Sequence, residues 1–209
     1  MIARRSRDLL QASCRQVHDI AASGFGYSNV SRYEAARPGY RDVAVNHVHN
    51  IIGQVDTVVE LGAGTGKFTK SVVPVLSATN YIATEPSAAF RESLKESGIS
   101  HDGFQVKEGT GDSIPVAEGT CDAIVVAQAW HWMANEDSLK EIKRALKAQG
   151  KLVMIWNAID LNIAWQSDLE DILTKRYDDD STPRYITGEW ENVFSGEYAK
   201  SNFSQITKW

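Results

Sequence analysis

The sequence has 209 residues and a net charge of −5, with 43% hydrophobic and 23% charged side chains, which is the composition of an ordinary globular domain. The acidic balance argues against a dedicated nucleic-acid-binding protein, because phosphate binding needs clustered Lys and Arg. No apolar run approaches the roughly 18 residues that cross a membrane, and two cysteines, Cys14 and Cys121, make no disulfide framework, which is typical of a reducing compartment.

Residues 1–16 form a basic N-terminal extension, in which four arginines stand against a single acid, Asp8. An Arg-rich, acid-poor start with interleaved apolar residues is typical of a mitochondrial transit peptide. The same composition also suits a solvated amphipathic helix, which we favour. We therefore expect a cytoplasmic protein, with a mitochondrial location as the alternative.

Residues 17–209 are predicted as one domain in which strands and helices alternate, and this alternation implies a mostly parallel sheet in an α/β fold. The domain comprises a lid over residues 18–40, a cofactor-binding core over about 41–157 and a C-terminal part over 158–209.

Pro74 is expected to kink the helix after the first strand, because proline removes a backbone N–H. The predicted elements, in chain order, are a helix over Arg41 to Ile52, a strand over Val55 to Leu61, a helix through Phe68, Val72 and Leu76, a strand over Asn80 to Glu85, a helix over Ser87 to Ser97, strands over Phe104 to Lys107 and from Cys121, a helix over Glu136 to Lys147 ended by Gly150, a strand over Lys151 to Trp156 and a helix over Trp165 to Tyr177.

A glycine-rich turn, ELGAGTGKF over residues 60–68, follows the first strand, and glycine lets a ligand approach the backbone closely. Three cofactor classes compete for it. A phosphate-binding P-loop would need glycine at Leu61 and a hydroxyl at Phe68, and a dinucleotide fingerprint would need glycine at Lys67. S-adenosylmethionine needs neither, and its positive charge suits Glu60, an acid that would repel a phosphate.

Three further segments follow this turn at the carboxyl ends of predicted strands. Glu85, at the tip of the second strand, could accept hydrogen bonds from ribose hydroxyls, or could be a solvated acid before Pro86. Asp112, in the loop GTGDSIP, could accept from an adenine amino group, or could belong to an ordinary Asp/Ser turn. The run from Cys121 ends in a polar and aromatic cluster, AQAWHW, at the sheet edge where α/β proteins bind ligands.

The order of ELGAGTG, TEP, GTGDSIP and AQAWHW resembles class I S-adenosylmethionine-dependent methyltransferases, most of all the small-molecule type 11 branch that includes trans-aconitate-type methyltransferases. An upstream element from Tyr33 through Arg37, Pro38 and Tyr40 also resembles that branch. The resemblance covers about residues 18–156 and implies a three-layer, Rossmann-like methyltransferase fold. It also implies that S-adenosylmethionine is held by Glu60, Gly62, Ala63 and Gly64 at its methionine part, Glu85 at its ribose, Gly111 and Asp112 at its adenine, and Gln128 near the methionine end.

The methyl acceptor is expected between the sheet edge and the lid. Arg37 could pair with an acceptor carboxylate, or could form a structural salt bridge. Tyr33 could close over the cofactor, or could simply pack the lid. His131 is the candidate base, or else a residue that shapes the substrate pocket, since a carboxylate needs no base. Of Trp130 and Trp132, we expect one in the core and one beside the substrate, because side chains at strand ends alternate.

Class I methyltransferases usually end in a β-hairpin beside strand five, and residues 158–209 offer no convincing strand pair. The tail is therefore divergent, or the chain is a truncated form with an exposed edge strand. His47 and His49 would face different sides of a helix, so no metal site is predicted.

The predicted function is in-line methyl transfer from S-adenosylmethionine to a small molecule, with a carboxylic acid as one candidate acceptor. The alternatives are a non-catalytic cofactor-binding or regulatory protein and, with less support, an NAD-dependent oxidoreductase. The acceptor atom and the oligomeric state are left open.

Overall fold

A computed structural model of the chain describes residues 30–177 and 182–208. The basic extension over residues 1–16 and the first part of the predicted lid, residues 18–29, lie outside the described residues. None of the described helices is both long and apolar enough to cross a lipid bilayer.

Five strands form one sheet, in which every neighbouring pair is parallel and the order is β3-β2-β1-β4-β5. This confirms the predicted α/β fold. Because the chain runs outward from β1 in one direction and then returns to place β4 on its other side, a crevice forms at the carboxyl ends of β1 and β4. The strands are β1 (Val55–Leu61), β2 (Ala78–Thr84), β3 (Phe104–Lys107), β4 (Cys121–Ala127) and β5 (Leu146–Ile155).

Seven helices accompany the sheet in the described part of the chain, and they cover both of its faces. Alternation along β1 sends Val58 into the core on one face and Val59 into the core on the other. The first face packs against Val48 and Phe68, and the second against Leu139. The helices are α1 (Val30–Ala36), α2 (Asp42–Ile52), α3 (Lys67–Val72), α4 (Ala88–Lys95), α5 (Glu136–Ala145), α6 (Ala164–Tyr177) and α7 (Glu197–Asn202).

Several predicted boundaries differ from the structure, including the start of β2, which is Ala78 and not Asn80, and the start of β5, which is Leu146 and not Lys151. The helix after the glycine turn is not kinked at Pro74 but ends at Val72, and Leu76 donates its N–H to the Val72 carbonyl in a tight turn. The helix predicted to Lys147 ends at Ala145, and β5 begins at once at Leu146. Leu146 is buried and pairs with Cys121 of β4, and the Lys147 ammonium group lies 2.7 Å from the Asp122 carboxylate of the same strand.

The C-terminal region holds no strand within residues 156–177 and 182–208. Short 3₁₀ turns over Tyr185–Thr187 and Glu189–Ser195 precede α7. They pack Trp190 and Phe194 against the second face of the sheet, where the Phe194 ring lies 5.7 Å from the ring of Trp130. β5 is therefore the last strand on its side of the sheet.

Replacing Gly103 should test how tightly the chain approaches β2. A Cβ atom there would lie 1.9 Å from the Thr79 carbonyl oxygen, which is backbone and has no rotamer to change. We expect Gly103→Ala to lower the free energy of unfolding by about 1–3 kcal/mol, measured by urea denaturation. Gly39→Ala is the matched control, because nothing lies within 4 Å of its added methyl group. Equal midpoints for the two variants would contradict the expected overlap.

Candidate active site

A cavity of about 370 Å³ lies at the carboxyl ends of β1, β2 and β4, within the usual volume range of ligand pockets. A more open groove of about 540 Å³ runs along the amino ends of the strands, away from the predicted site residues. The predicted residues that line the first cavity are Glu60, Gly62, Ala63, Glu85, Gly111, Gln128, Arg37, His131 and Trp132.

The glycine turn lines the cavity with Gly62, Ala63 and Thr65. Gly62 has a φ of 67° and Gly64 a φ of 59°, values in the left-handed region that other residues adopt at a cost. A Cβ atom on Gly62 would also lie 2.8 Å from that of Ala129. The resulting turn directs the Gly64 N–H to the carboxylate of Glu85, at 2.9 Å.

Glu85 follows β2 directly and is 5% exposed. One carboxylate oxygen accepts the Gly64 N–H and the other accepts the Ser87 N–H, both at 2.9 Å. Burial raises the pKa of Glu85, while these two hydrogen bonds and the nearby Arg91 cation oppose the rise. Each oxygen keeps a further lone pair, so the fixed carboxylate can accept two hydroxyl groups from a ligand.

Glu60 is 1% exposed and lies beneath the turn. One of its oxygens, Oε2, accepts from the Thr69 hydroxyl at 2.7 Å and from the Tyr81 hydroxyl at 2.8 Å. Burial, with a contribution from the Glu85 carboxylate, raises the pKa of Glu60 to about 7. A cation in the cavity would favour the ionised form of this acid.

Gln128 is the one non-glycine residue with positive φ in the described chain, at 56°. Its N–H donates to the Ile155 carbonyl at 2.8 Å, and its side-chain amide donates to the Asn157 carbonyl at 3.1 Å. A left-handed conformation at such a residue costs on the order of 1–3 kcal/mol and is concentrated at functional sites. These bonds hold the end of β4 against the end of β5 beside the cavity.

His131 lines the cavity and accepts a hydrogen bond at Nδ1 from the indole N–H of Trp156, at 3.3 Å. Burial and then the Arg37 cation lower the pKa of His131 to about 4, so the ring is neutral at physiological pH. Because its unprotonated nitrogen is already engaged, the geometry favours a substrate-shaping role over the predicted role as a base.

As expected, one of the two tryptophans lies in the core and the other lines the cavity, although strand alternation is not the reason. Trp130 is completely buried and donates its indole N–H to the Trp190 carbonyl at 3.2 Å, so it belongs to the core and does not line the cavity. Trp132 lines the cavity, with its ring 5.3 Å from the His131 ring. The residues lie in a 3₁₀ turn, Trp130–Trp132, and not at a strand end, so strand alternation does not explain the division.

Three predicted site residues do not line the cavity, namely Gly64, Trp130 and Asp112. Asp112 is exposed and its carboxylate accepts from the Thr110 hydroxyl, although Gly111 beside it lines the cavity. The adenine contact of Asp112 stays a prediction. Tyr33 belongs to α1, but its side chain lies outside the described part of the chain.

The lid segment, which comprises residues 30–40 in the described part of the chain, contacts the glycine turn through Glu34. This carboxylate accepts from the Thr65 hydroxyl and lies 3.0 Å from the Lys70 ammonium group and 3.4 Å from that of Lys67. The contacts hold α1 beside the turn and leave Arg37 at the rim of the cavity.

Sequence reasoning missed several lining residues, among them Tyr40, Phe90, Met133 and Asn157. Asn157 could have been found, because it follows β5 at the same sheet edge as the other candidates. Phe90 and Met133 carry no such signal, since apolar residues on a helix or turn indicate core packing first. No group of three His, Cys, Asp or Glu side chains among the described residues could hold a metal ion.

Comparisons with known sequences identify a family. Residues 59–154 match the family model described as a methyltransferase domain. An uncharacterised methyltransferase-like protein of Schizosaccharomyces pombe is 33% identical over 81% of this chain and 64% of its own length. An uncharacterised methyltransferase of Mycobacterium tuberculosis is 30% identical over 70% of this chain and 57% of its own length. The chain thus spans about three-fifths of the length of these relatives.

Solved structures share the fold at lower sequence identity. A Methanococcus maripaludis protein assigned to the S-adenosylmethionine-dependent methyltransferases has a TM-score of 0.58 and 16% identity, over 87% of this chain and 85% of its own. The YcgJ protein of Bacillus subtilis has a TM-score of 0.53 and 19% identity, over 74% of this chain and 67% of its own. These likenesses confirm the predicted Rossmann-like methyltransferase fold.

The buried acid Glu60 should make stability depend on pH. Its folded-state pKa lies above its ordinary value of 4.5, so its contribution to stability is complete below about pH 4.5 and is lost as the pH rises to about 7. We expect Glu60→Gln, which cannot ionise, to gain about 3 kcal/mol in free energy of unfolding relative to the wild type between pH 4.5 and 7.5. Urea denaturation at several pH values measures this difference. Glu92→Gln, at an exposed acid on α4, is the control, and a constant difference for Glu60→Gln would overturn the prediction.

Proposed function

Because this chain carries a class I S-adenosylmethionine-dependent methyltransferase domain of the type 11 family, we propose that it transfers the cofactor's methyl group to a small-molecule carboxylate. The single observation that carries the proposal is the cavity at the carboxyl edge of the sheet. It combines fixed acids for a cationic, ribose-containing cofactor with Arg37 at its rim.

The residues present suit S-adenosylmethionine. Glu85 would accept the two ribose hydroxyls with the lone pairs that its bonds to Gly64 and Ser87 leave over. Phe90 and Pro86 provide apolar lining beside Glu85 for the adenine ring. Glu60 would face the positively charged methionine end, since opposite charges in a buried site attract strongly.

When bound, the cofactor supplies a methyl group already activated by a sulfonium centre. The protein then has to orient the acceptor in line with the S–CH₃ bond, and such alignment can contribute about 7–11 kcal/mol at best. Arg37, His131 and Trp132 line the same cavity and would hold the acceptor. Arg37 can bind a carboxylate with two parallel N–H bonds.

The state of the groups that most often act as bases supports a carboxylate acceptor. Those lining the cavity in the described chain are Glu60, Glu85 and His131. Both acids are buried and hydrogen-bonded, and the His131 lone pair is engaged by Trp156. An acceptor that is already ionised needs no base: its oxygen forms the O–CH₃ bond, the S–CH₃ bond breaks, and the electron pair stays on sulfur. No proton moves in this step.

Cofactor binding tests the first half of the proposal. We expect calorimetric titration with S-adenosylmethionine to show binding, and Glu85→Ala to weaken it at least about tenfold, because two hydrogen bonds to a charged acceptor are lost. Glu108→Ala is the matched control, since Glu108 pairs with Arg91 near the same sheet edge but does not line the cavity. Equal affinities for the two variants would show that Glu85 does not bind the cofactor.

Turnover tests the second half. We expect S-adenosylhomocysteine to form with at least one of acetate, succinate and citrate, chosen as a mono-, a di- and a tricarboxylate. Arg37→Ala should raise the acceptor KM about tenfold while the cofactor Kd is unchanged, because a bidentate ion pair to the acceptor is lost. Arg41→Ala, four residues away at the start of α2, is the control. Tight cofactor binding without turnover of any of the three acids would favour a non-catalytic cofactor-binding protein.

A further inference from the structure

The His131 ring lies between the cavity and an aromatic cluster formed by Trp156, Tyr185 and Trp190. It lines the cavity, and its Nδ1 atom is 3.3 Å from the indole nitrogen of Trp156. This is the hydrogen bond that the ring makes within the described residues. Trp156 itself does not line the cavity, so it can affect an acceptor only through His131.

The aromatic cluster fixes the Trp156 indole in place. Its ring lies 5.0 Å from that of Tyr185 and 4.6 Å from that of Trp190. Trp190 donates its own N–H to the Tyr185 carbonyl at 3.0 Å, and its carbonyl accepts the N–H of Trp130. The C-terminal 3₁₀ turns therefore reach the edge of the cavity through a continuous set of packed rings.

The chemistry of the two rings determines where the proton lies. An indole N–H can only donate, so Nδ1 of His131 must be the unprotonated nitrogen. A neutral imidazole carries one proton, which must then be on Nε2. Burial, and then the nearby Arg37 cation, lower the pKa of His131 and so disfavour a second proton on the ring.

We infer that Trp156 is a positioning residue, which holds His131 in the Nε2–H tautomer and so presents a hydrogen-bond donor, and not a base, to the methyl acceptor. The role toward the acceptor rests on the proposed function, but the tautomer does not. Together with Arg37, the Nε2–H group would select acceptors that carry a negative or carbonyl oxygen. A site with unpaired donors rejects ligands that lack that oxygen.

Nitrogen-15 NMR of histidine-labelled protein tests the tautomer directly, without a known acceptor. The sequence contains five histidines, and the spectrum of His131→Gln identifies the His131 signals. We expect the wild type to show a protonated Nε2 and an unprotonated Nδ1 from pH 5 to 8. A neutral ring with the proton on Nδ1 would overturn the inference.

Trp156→Phe removes the N–H and keeps an aromatic ring in the cluster. We expect the Nδ1 signal to shift and the Nδ1–H tautomer to become populated, because nothing then fixes the proton on Nε2. Trp190→Phe is the matched control, since it alters the same ring cluster and leaves the Trp156 N–H intact. An equal change in both variants would show that packing, and not the hydrogen bond, sets the tautomer. If Trp156→Phe does not fold, the wild-type spectrum decides.

Two substitutions at His131 separate a donor from a base in turnover. Glutamine keeps an N–H near the Nε2 position but is not basic, and leucine keeps neither property. With whichever of acetate, succinate and citrate is turned over, we expect His131→Gln to retain kcat within about threefold and His131→Leu to raise the acceptor KM about tenfold. Loss of kcat in both variants, together with a wild-type rate that falls at low pH, would show that His131 acts as a base. Absence of turnover with all three acids refutes the proposed carboxylate acceptor and leaves the NMR result to judge the tautomer.

Discussion

The site depends on the hydrogen bond from the Gly64 N–H to the Glu85 carboxylate. It joins the turn after β1 to the residue after β2, so the ends of two strands that are 21 residues apart in sequence become one rigid edge. The parallel pairing of Leu61 with Thr84 places the ends of β1 and β2 side by side. The Gly64–Glu85 bond then fixes the two loops that follow these strands. Without it, the partly buried Gly64 N–H would lose its partner, and the buried Glu85 carboxylate would keep only the Ser87 N–H. Leaving such a group unpaired costs more than the bond itself contributes.

A second pair of strand ends is also joined by a hydrogen bond. Here a side-chain amide donates to a backbone carbonyl, whereas at the first pair a backbone N–H donates to a side-chain carboxylate. Gln128 adopts a strained conformation after β4 and bonds to Ile155 and Asn157 at the end of β5. The cavity thus lies between two cross-linked edges, one acidic and one carrying amides and aromatic rings. The acidic edge suits a cationic cofactor, and the other carries His131 and Trp132, two of the three residues proposed to hold the acceptor. Both depend on backbone geometry that the parallel register of the sheet imposes.

Local sequence was enough to predict the parts of this arrangement that are set by strand ends. β1 and β3 have the predicted bounds, and Glu60, Glu85 and Gln128 all line the cavity, because residues after parallel strands converge on one edge. Tertiary contacts decided the rest. Lys147 lies in β5 with its ammonium group 2.7 Å from the Asp122 carboxylate, a partner 25 residues away that no helical pattern reveals. The Trp156 bond to His131 likewise joins two segments whose proximity only the fold creates.

The charged groups around Glu34 in the lid segment are partly exposed to solvent, whereas the acids of the cavity floor are buried. The Glu34 side chain is 32% exposed, and those of Lys67 and Lys70 are 27% and 37% exposed, whereas Glu60 and Glu85 are almost fully buried. Dissolved ions screen charges that water reaches, over a Debye length of about 8 Å at physiological ionic strength, and have little effect on buried ones. Ionic strength therefore acts on the lid and spares the acids of the cavity floor. Added salt should weaken the contacts of Glu34 with Lys67 and Lys70 while leaving the hydrogen bonds of Glu60 and Glu85 unchanged.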